Sequence, residues 1–211
     1  MRGRTVGVLM SGGIDSAILL RQLLRSGWRA QPLYVRCGLR WEAVEMWWLR
    51  RYLRAVRSSH LLPLRVLEVP VRVLYGSHWS LTGRRVPSAR SADAAVYLPG
   101  RNVLFLSVAA IACARQGIST LALGTLGGNP FGDATPRFFA RMAQALSLAL
   151  NRPVRVLAPL RRKPKAAWVR AARSLPLQLT FSCLKPRGHR PCDRCNKCAE
   201  RSRALRQAGV R

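Results

Sequence analysis

Short apolar runs alternate along the chain with longer stretches whose apolar positions return every three or four residues. "TVGVLM" (5–10) predicts a buried strand closed by a turn of small residues. "DSAILLRQLLRSG" follows as a helix that stops at Gly27. "RAQPLYVRC" (29–37) predicts a second strand, with Pro32 marking an edge or an irregular start. "WEAVEMWWLRRYLRAVRS" (41–58) predicts an amphipathic helix, and its stripe of Trp41, Val44, Trp48 and Tyr52 reads as core packing. "LRVLEVP" (64–70) is a third strand. Residues 75–98, rich in Gly, Ser, Pro and Arg, show no period and read as a lid or partly mobile flap. "RNVLFLSVAAIACARQG" (101–117) is apolar nearly all round, so it predicts a buried helix with Cys113 as a small core residue. "STLALGT" (119–125) is a fourth strand before a glycine-rich turn. "TPRFFARMAQALSLALN" (135–151) is a helix with Pro136 in its first turn, "PVRVLAPL" (153–160) a fifth strand, and "KPKAAWVRAARSL" (163–175) the last core helix. This alternation predicts an α/β fold, a doubly wound parallel five-stranded sheet that binds ligands outside the carboxyl ends of its strands.

Composition narrows the picture. A chain of 211 residues, 49% hydrophobic, suits one domain with at most a small appendage. Its 37 basic residues face only 8 acidic ones, and all but Lys163, Lys165, Lys185 and Lys197 of the basic ones are arginine. Two readings of that charge stay open. One is an electrostatic footprint for nucleic acid; the other is a compositional bias toward arginine, which the even spread along the chain favours. Arg2 and Arg4 precede an apolar run that "SGGIDS" interrupts, which fits neither a signal peptide nor a membrane span. The expected compartment is the cytoplasm, with no membrane partner.

One of the scarce acids, Asp15, stands at the junction of the first strand and first helix, in "SGGIDS" (11–16). Glycines there let backbone approach a ligand, and free amides at a helix start attract anions. Met10, Ser11, Gly12, Gly13, Ile14, Asp15 and Ser16 are therefore candidate phosphate-binding residues. Asp15 either caps the helix or helps hold Mg²⁺ beside phosphates. The pattern is neither GxxxxGK[ST] nor GxGxxG. At the other end, "SCLKPRGHRPCDRCNKC" (182–198) sets Cys183, Cys192, Cys195 and Cys198 at x8, x2 and x2 spacing. Four thiolates suit structural zinc; CxxCxxC also suits an iron–sulfur cluster. His189 reads as a surface residue. The expected division is an α/β domain carrying the phosphate loop at 1–180 and a candidate zinc-binding segment at 181–211.

The "SGGIDS" loop resembles the SGGxDS loop of the PP-loop ATP pyrophosphatases, which cleave ATP between the α- and β-phosphates. Together with the cysteine tail, the chain resembles the 7-cyano-7-deazaguanine synthase family over nearly its whole length. The resemblance includes "LPGRNVLFLSVAAIA" (98–112), "ALGT" (122–125), "APLRRKPKAAW" (158–168) and "CDRCNKCAERSRAL" (192–205). It implies an adenine nucleotide alpha hydrolase-like fold and adenylation of the carboxylate of 7-carboxy-7-deazaguanine. Ammonia then converts the adenylate to the nitrile. ATP, Mg²⁺ and Zn²⁺ are the implied cofactors and a homodimer the implied assembly. Asp15, Arg101 and Lys165 are the implied catalytic residues, and Arg101, Asn102 and Gly124 join the loop in nucleotide binding. Two segments depart from the family. "CGLRW" (37–41) stands where a Tyr-Gly-Gln-Arg-His-like run is usual, and "GTLGGNPFGDATPRFF" (124–139) carries only Asp133 where acidic residues are usual. The acceptor site is therefore less defined than the ATP site. A PP-loop enzyme of the tRNA-thiolation type, gripping tRNA through its basic surface, is the alternative. A nucleotide-binding protein without catalysis is a further one.

Overall fold

The computed structural model describes residues 4–210. Arg2, and the outer limits of the two domain ranges at residues 1 and 211, lie outside them. Five parallel strands form one sheet: β1 (Thr5–Leu9), β2 (Arg29–Arg36), β3 (Arg65–Glu68), β4 (Thr120–Ala122) and β5 (Arg155–Leu157). Their order is β3-β2-β1-β4-β5, so the winding reverses between β1 and β4. A crevice opens at such a reversal, at the carboxyl ends of both strands.

Alternation along β1 sorts the two faces. Val6 and Val8 join the core that holds Leu19, Leu20 and Leu23 of helix α1 (Ile14–Arg25) and Leu49 and Tyr52 of helix α2 (Glu42–Ala55). Leu9 joins the opposite core, with Leu106 and Cys113 of helix α5 (Arg101–Ala114). Gly7 shares that second face, and a methyl group on it would stand 2.6 Å from Cys113 Sγ. Cys113 is thus the small core residue the sequence predicts. The predicted stripe on α2 also packs inward: Trp41 and Tyr52 are buried, and Val44 and Trp48 pack partly buried against the core.

Three expectations are corrected. First, of the two readings of Pro32 the edge is overturned and the irregular start holds: β2 is an interior strand. Ala30 pairs with Leu61 and Leu33 with Arg65, so one extra residue bulges on the β3 side opposite Pro32. The amide that proline lacks faces that bulge, and Gln31 Nε2 bridges it by donating to Pro63 O at 2.5 Å. Second, the apolar helix α5 (Arg101–Ala114) is not buried all round. Val103 and Ile111 are exposed on its outer side. Third, the helix expected at 163–175 is shorter, α7 (Lys165–Ala171), and it is not the last. Helix α8 (Asn196–Gln207) follows and packs on it. Its buried apolar residues are Cys198 and Ala204, with Leu205 partly buried, and residues so small and few give no clear periodic signal. Arg201 fastens α8 by donating to Leu177 O at 2.8 Å and to Thr180 Oγ1 at 2.5 Å.

The segment expected as a flap carries helical turns, α3 (Arg72–Tyr75) just before it and α4 (Trp79–Thr82) within it, and a 3₁₀ turn at Asp93–Val96. It is fastened to the cysteine segment. Ala89 N donates to Arg194 O and Asn196 N to Pro87 O, while the Asn196 side chain donates to Ser91 O and Asp93 Oδ1. Helix α6 (Pro136–Ala149) completes the α5 side; Thr135 Oγ1 caps it by accepting from Phe138 N, with Pro136 next as predicted. Among the described residues Arg36, paired with Glu68, is the one arginine in an ion pair. No described helix is long and apolar enough to cross a membrane.

Candidate active site

The loop after β1 is shaped to leave backbone amides bare. Gly12 has φ of +71°, a left-handed conformation that favours glycine, and its carbonyl accepts from Phe181 N at 2.8 Å. Ser16 Oγ donates to Gly13 O at 3.0 Å and accepts from Ser11 N at 3.3 Å, which folds the loop over the helix start. Gly13, the N-cap of α1, makes no side-chain cap. The amides of Ile14, Asp15 and Ser16 therefore find no hydrogen-bond partner among the described residues. That leaves an anion seat at the dipole's positive end. Met10 and Ile14 are buried and set the floor, while Ser11 is exposed at the rim. Gly124 closes the other wall.

Asp15 does not cap its helix. Its Oδ2 accepts from Lys165 Nζ at 3.0 Å, across 150 positions of sequence. Lys165, the first residue of α7, also donates to Glu200 Oε1 at 2.5 Å, and Lys197 donates to Glu200 Oε2 at 2.6 Å. Burial raises the Asp15 carboxyl above its ordinary range, against the pull of Lys165, which it shares with Glu200. Burial alone would lower Lys165, but the two carboxylates together raise it. Burial also opposes ionisation of Glu200, yet Lys165 and Lys197 hold it down at about 2. The quartet is formally neutral at pH 7.

These groups line a cavity of about 740 Å³, a size suited to a nucleotide-scale ligand. Arg101 and Asn102, at the start of α5, stand on its wall. Arg101 is exposed, its guanidinium 5.5 Å from the Phe105 ring centre. Asn102 is tied to Asp133: its amide N donates to Asp133 Oδ2 and its Nδ2 to Asp133 O. At the far wall, where the sequence departs at 37–41, Trp41 stacks on Trp79 with ring centres 5.8 Å apart. Cys37 is buried with its amide donating to Glu42 Oε1 at 2.7 Å, and burial, then Glu42, push its thiol up to about 12.

Sequence reasoning singled out Asp15 but missed the acids around it. Asp15, Glu42, Glu45, Asp93 and Glu200 all line this cavity, five of the chain's eight acidic residues. Glu45 Oε2 accepts from Tyr34 Oη at 2.7 Å, and burial pushes its carboxyl up to about 8. The available signal was scarcity itself: with only eight acids in so basic a chain, each of them was a candidate for a place where negative charge has a use.

The four cysteines of the tail converge. Their sulfurs all lie within 4.8 Å of one another, with Cys195–Cys198 at 3.5 Å and Cys192–Cys198 at 4.0 Å. Thiolates bound tetrahedrally to zinc stand about 3.8 Å apart, so this set could hold such an ion. Backbone amides already face two of them: Cys192 N donates to Cys183 Sγ at 3.2 Å and Leu184 N to Cys195 Sγ at 3.4 Å. His189 stays outside the cluster, exposed and stacked on Trp47.

A parallel α/β sheet, a glycine–serine loop of free amides after β1 and a basic–acidic quartet facing it define a PP-loop type of fold. Solved structures share the fold. A predicted subunit of tRNA methyltransferase from Methanocaldococcus jannaschii aligns with TM-score 0.53 at 16% identity, over 80% of this chain and 74% of that one. A 4-thiouridine synthetase in an RNA complex with bound ATP aligns with TM-score 0.51 at 18% identity, over 98% of this chain and 50% of that one. The family model described as queuosine biosynthesis protein QueC matches residues 5–209, and the chain belongs to that family. Among curated relatives, 7-cyano-7-deazaguanine synthase 1 of Desulfitobacterium hafniense is 31% identical over 95% of this chain and 90% of its own length. The 7-cyano-7-deazaguanine synthase of an Anaeromyxobacter species is 33% identical over 96% and 92%.

Proposed function

We propose that the protein is an ATP-dependent carbon–nitrogen ligase that makes the nitrile of 7-cyano-7-deazaguanine in the cytoplasm. The observation that carries this is the bare-amide loop at 11–16 with the Lys165 ammonium poised against Asp15, in a family whose curated relatives bear that enzyme's name. The α/β domain at 1–180 supplies the ATP site and the segment 181–211 a structural zinc. The carboxylate of 7-carboxy-7-deazaguanine attacks the α-phosphorus of ATP, and the bond to pyrophosphate breaks. Ammonia adds to the acyl carbon, AMP leaves with its electron pair, and a proton is lost to give the amide. In a second adenylation the amide oxygen attacks the α-phosphorus of another ATP and pyrophosphate leaves; loss of AMP and of both amide protons then gives the nitrile.

The leaving pyrophosphate must be neutralised as its charge grows. The Ile14, Asp15 and Ser16 amides, Ser11 and Lys165 face that charge, and Arg101 approaches from the start of α5. Asp15 would hold Mg²⁺, which screens the phosphates when bound. Gly124 keeps the fourth strand close to the loop, and the stacked Trp41–Trp79 pair offers a wall for a planar heterocycle. A thiolation reading fares worse. Outside the cluster only Cys37 and Cys113 remain, and burial pushes their thiols up to about 12 and about 11, where little reactive thiolate forms. The test is incubation with ATP, Mg²⁺, ammonium and 7-carboxy-7-deazaguanine. AMP and the nitrile should appear together; neither product would overturn the reading.

A further inference from the structure

The cysteine cluster and the phosphate loop are joined along two routes. One is through side chains on α8. Cys195 is the N-cap of that helix and Cys198 lies in its first turn; Glu200 follows two residues later and reaches Lys165 at 2.5 Å, which in turn reaches Asp15 at 3.0 Å. The other is through backbone. Cys183 is preceded by Ser182, whose carbonyl faces Cys198 Sγ at 3.7 Å, and by Phe181, whose amide bonds Gly12 O at 2.8 Å. Ser182 Oγ also lies against Gly13, within 3.2 Å of where a methyl group there would stand.

We propose that Glu200 is a positioning residue through which metal at the four cysteines and ATP at the phosphate loop strengthen each other's binding. The inference rests on the readings of residues 11–16 as an ATP site and of the four thiols as a zinc site. A bound ion would fix the N-terminal end of α8, because two of its ligands are the helix cap and a first-turn residue. A fixed α8 holds Glu200 at one place, and Glu200 holds Lys165 beside the loop. The second carboxylate has a specific use. When Asp15 turns to a cation carried by ATP, Lys165 keeps an anionic partner at its side and stays at the loop. Lys197, the other partner of Glu200, keeps that carboxylate from swinging away. Coupling between two sites is reciprocal, so each ligand must favour the other by the same factor.

The experiment is a binding cycle on the full chain. Calorimetry gives the affinity for Mg²⁺–ATP, without acceptor, for zinc-loaded and chelator-stripped protein. In the reciprocal arm a chromophoric chelator competes for the zinc of loaded protein with and without ATP, so the cycle can be read even where stripping disturbs the fold. Both arms should give a coupling of about tenfold, inside the range usual for linked sites. In Glu200→Gln the factor should fall to about twofold or less, with zinc stoichiometry and far-ultraviolet circular dichroism unchanged, and Glu200→Asp should recover part of it. Equal coupling in the parent and in Glu200→Gln, or none in the parent, overturns the proposal. Loaded protein that binds no ATP sinks the ATP reading, and protein that takes up no zinc sinks the metal reading. Each is seen separately from the coupling factor, and each removes the inference with it.

Discussion

The backbone of Gly124 lies against that of Asp15: a methyl carbon on Gly124 would stand 3.0 Å from the Asp15 carbonyl carbon and 3.1 Å from the Ser16 amide nitrogen. Neither backbone can yield without moving the end of β4 or the start of α1. Gly124→Ala should therefore weaken ATP binding about tenfold or more, since small misplacements of a binding loop are costly. Calorimetric titration reads this, and unchanged affinity would show that the loop is set by other contacts.

Gly7 and Cys113 form a similar pair within the core. Gly7→Ala overpacks the face under α5 and should cost about 1–3 kcal/mol in denaturant unfolding. Adding Cys113→Ala removes the sulfur in the way, so the double variant should recover at least half of that loss. Simple additivity of the two single changes would contradict the assigned contact.

Glu45 makes stability depend on pH in an uncommon direction for a carboxyl. Its folded value, about 8, lies above that of a free glutamic acid, about 4.3. Between those values the native state keeps a proton that the unfolded chain has released. The stability it contributes is fully present below about pH 4.3 and is lost as pH rises through about 8, by at most ~1.4 kcal/mol per pH unit. Glu45→Gln should flatten that slope and make the variant the more stable of the two at pH 8. Urea midpoints at pH 5, 6.5 and 8 check this; parallel slopes would mean the carboxyl is already charged.

Cys195→Ser should abolish metal binding and lower the melting temperature, because a four-thiolate site contributes its metal affinity to folding. His189→Ala should leave metal content unchanged, as that ring packs on Trp47 rather than on the sulfurs. Metal content by elemental analysis of both purified variants separates the roles; a loss in His189→Ala would place the histidine among the ligands.

What could be read from sequence followed from how local each signal is. The strands and the loop at 11–16 were legible because apolar runs and small residues write them within a few positions. The cysteine cluster was legible because its spacing places three of the sulfurs within seven residues. Pro32 left edge and irregular start undecided, because the bulge that accommodates it lies on a neighbouring strand, invisible in its own segment. Glu42 and Glu45 lie outside the apolar stripe read on 41–58, and only the assembled sheet and helices bring them to the cavity. Glu200 was hidden most deeply, in a helix whose apolar face is cysteine and alanine and whose partners lie far upstream.

The hydrogen bonds that fasten 87–93 to 194–196 have a consequence for synthesis on the ribosome. All five strands are present once residue 157 has emerged, and the Ser16–Gly13 contact within the loop at 11–16 needs nothing later. Yet Lys165, the 181–184 segment and Glu200 arrive last, and the wall carrying Asp93 cannot dock before Asn196 exists. Nascent chains thus expose an acid-rich crevice until α8 has left the exit tunnel. The pocket is finished by α8, so a chain truncated before that helix keeps its five strands but loses Glu200 and the tie to Asp93.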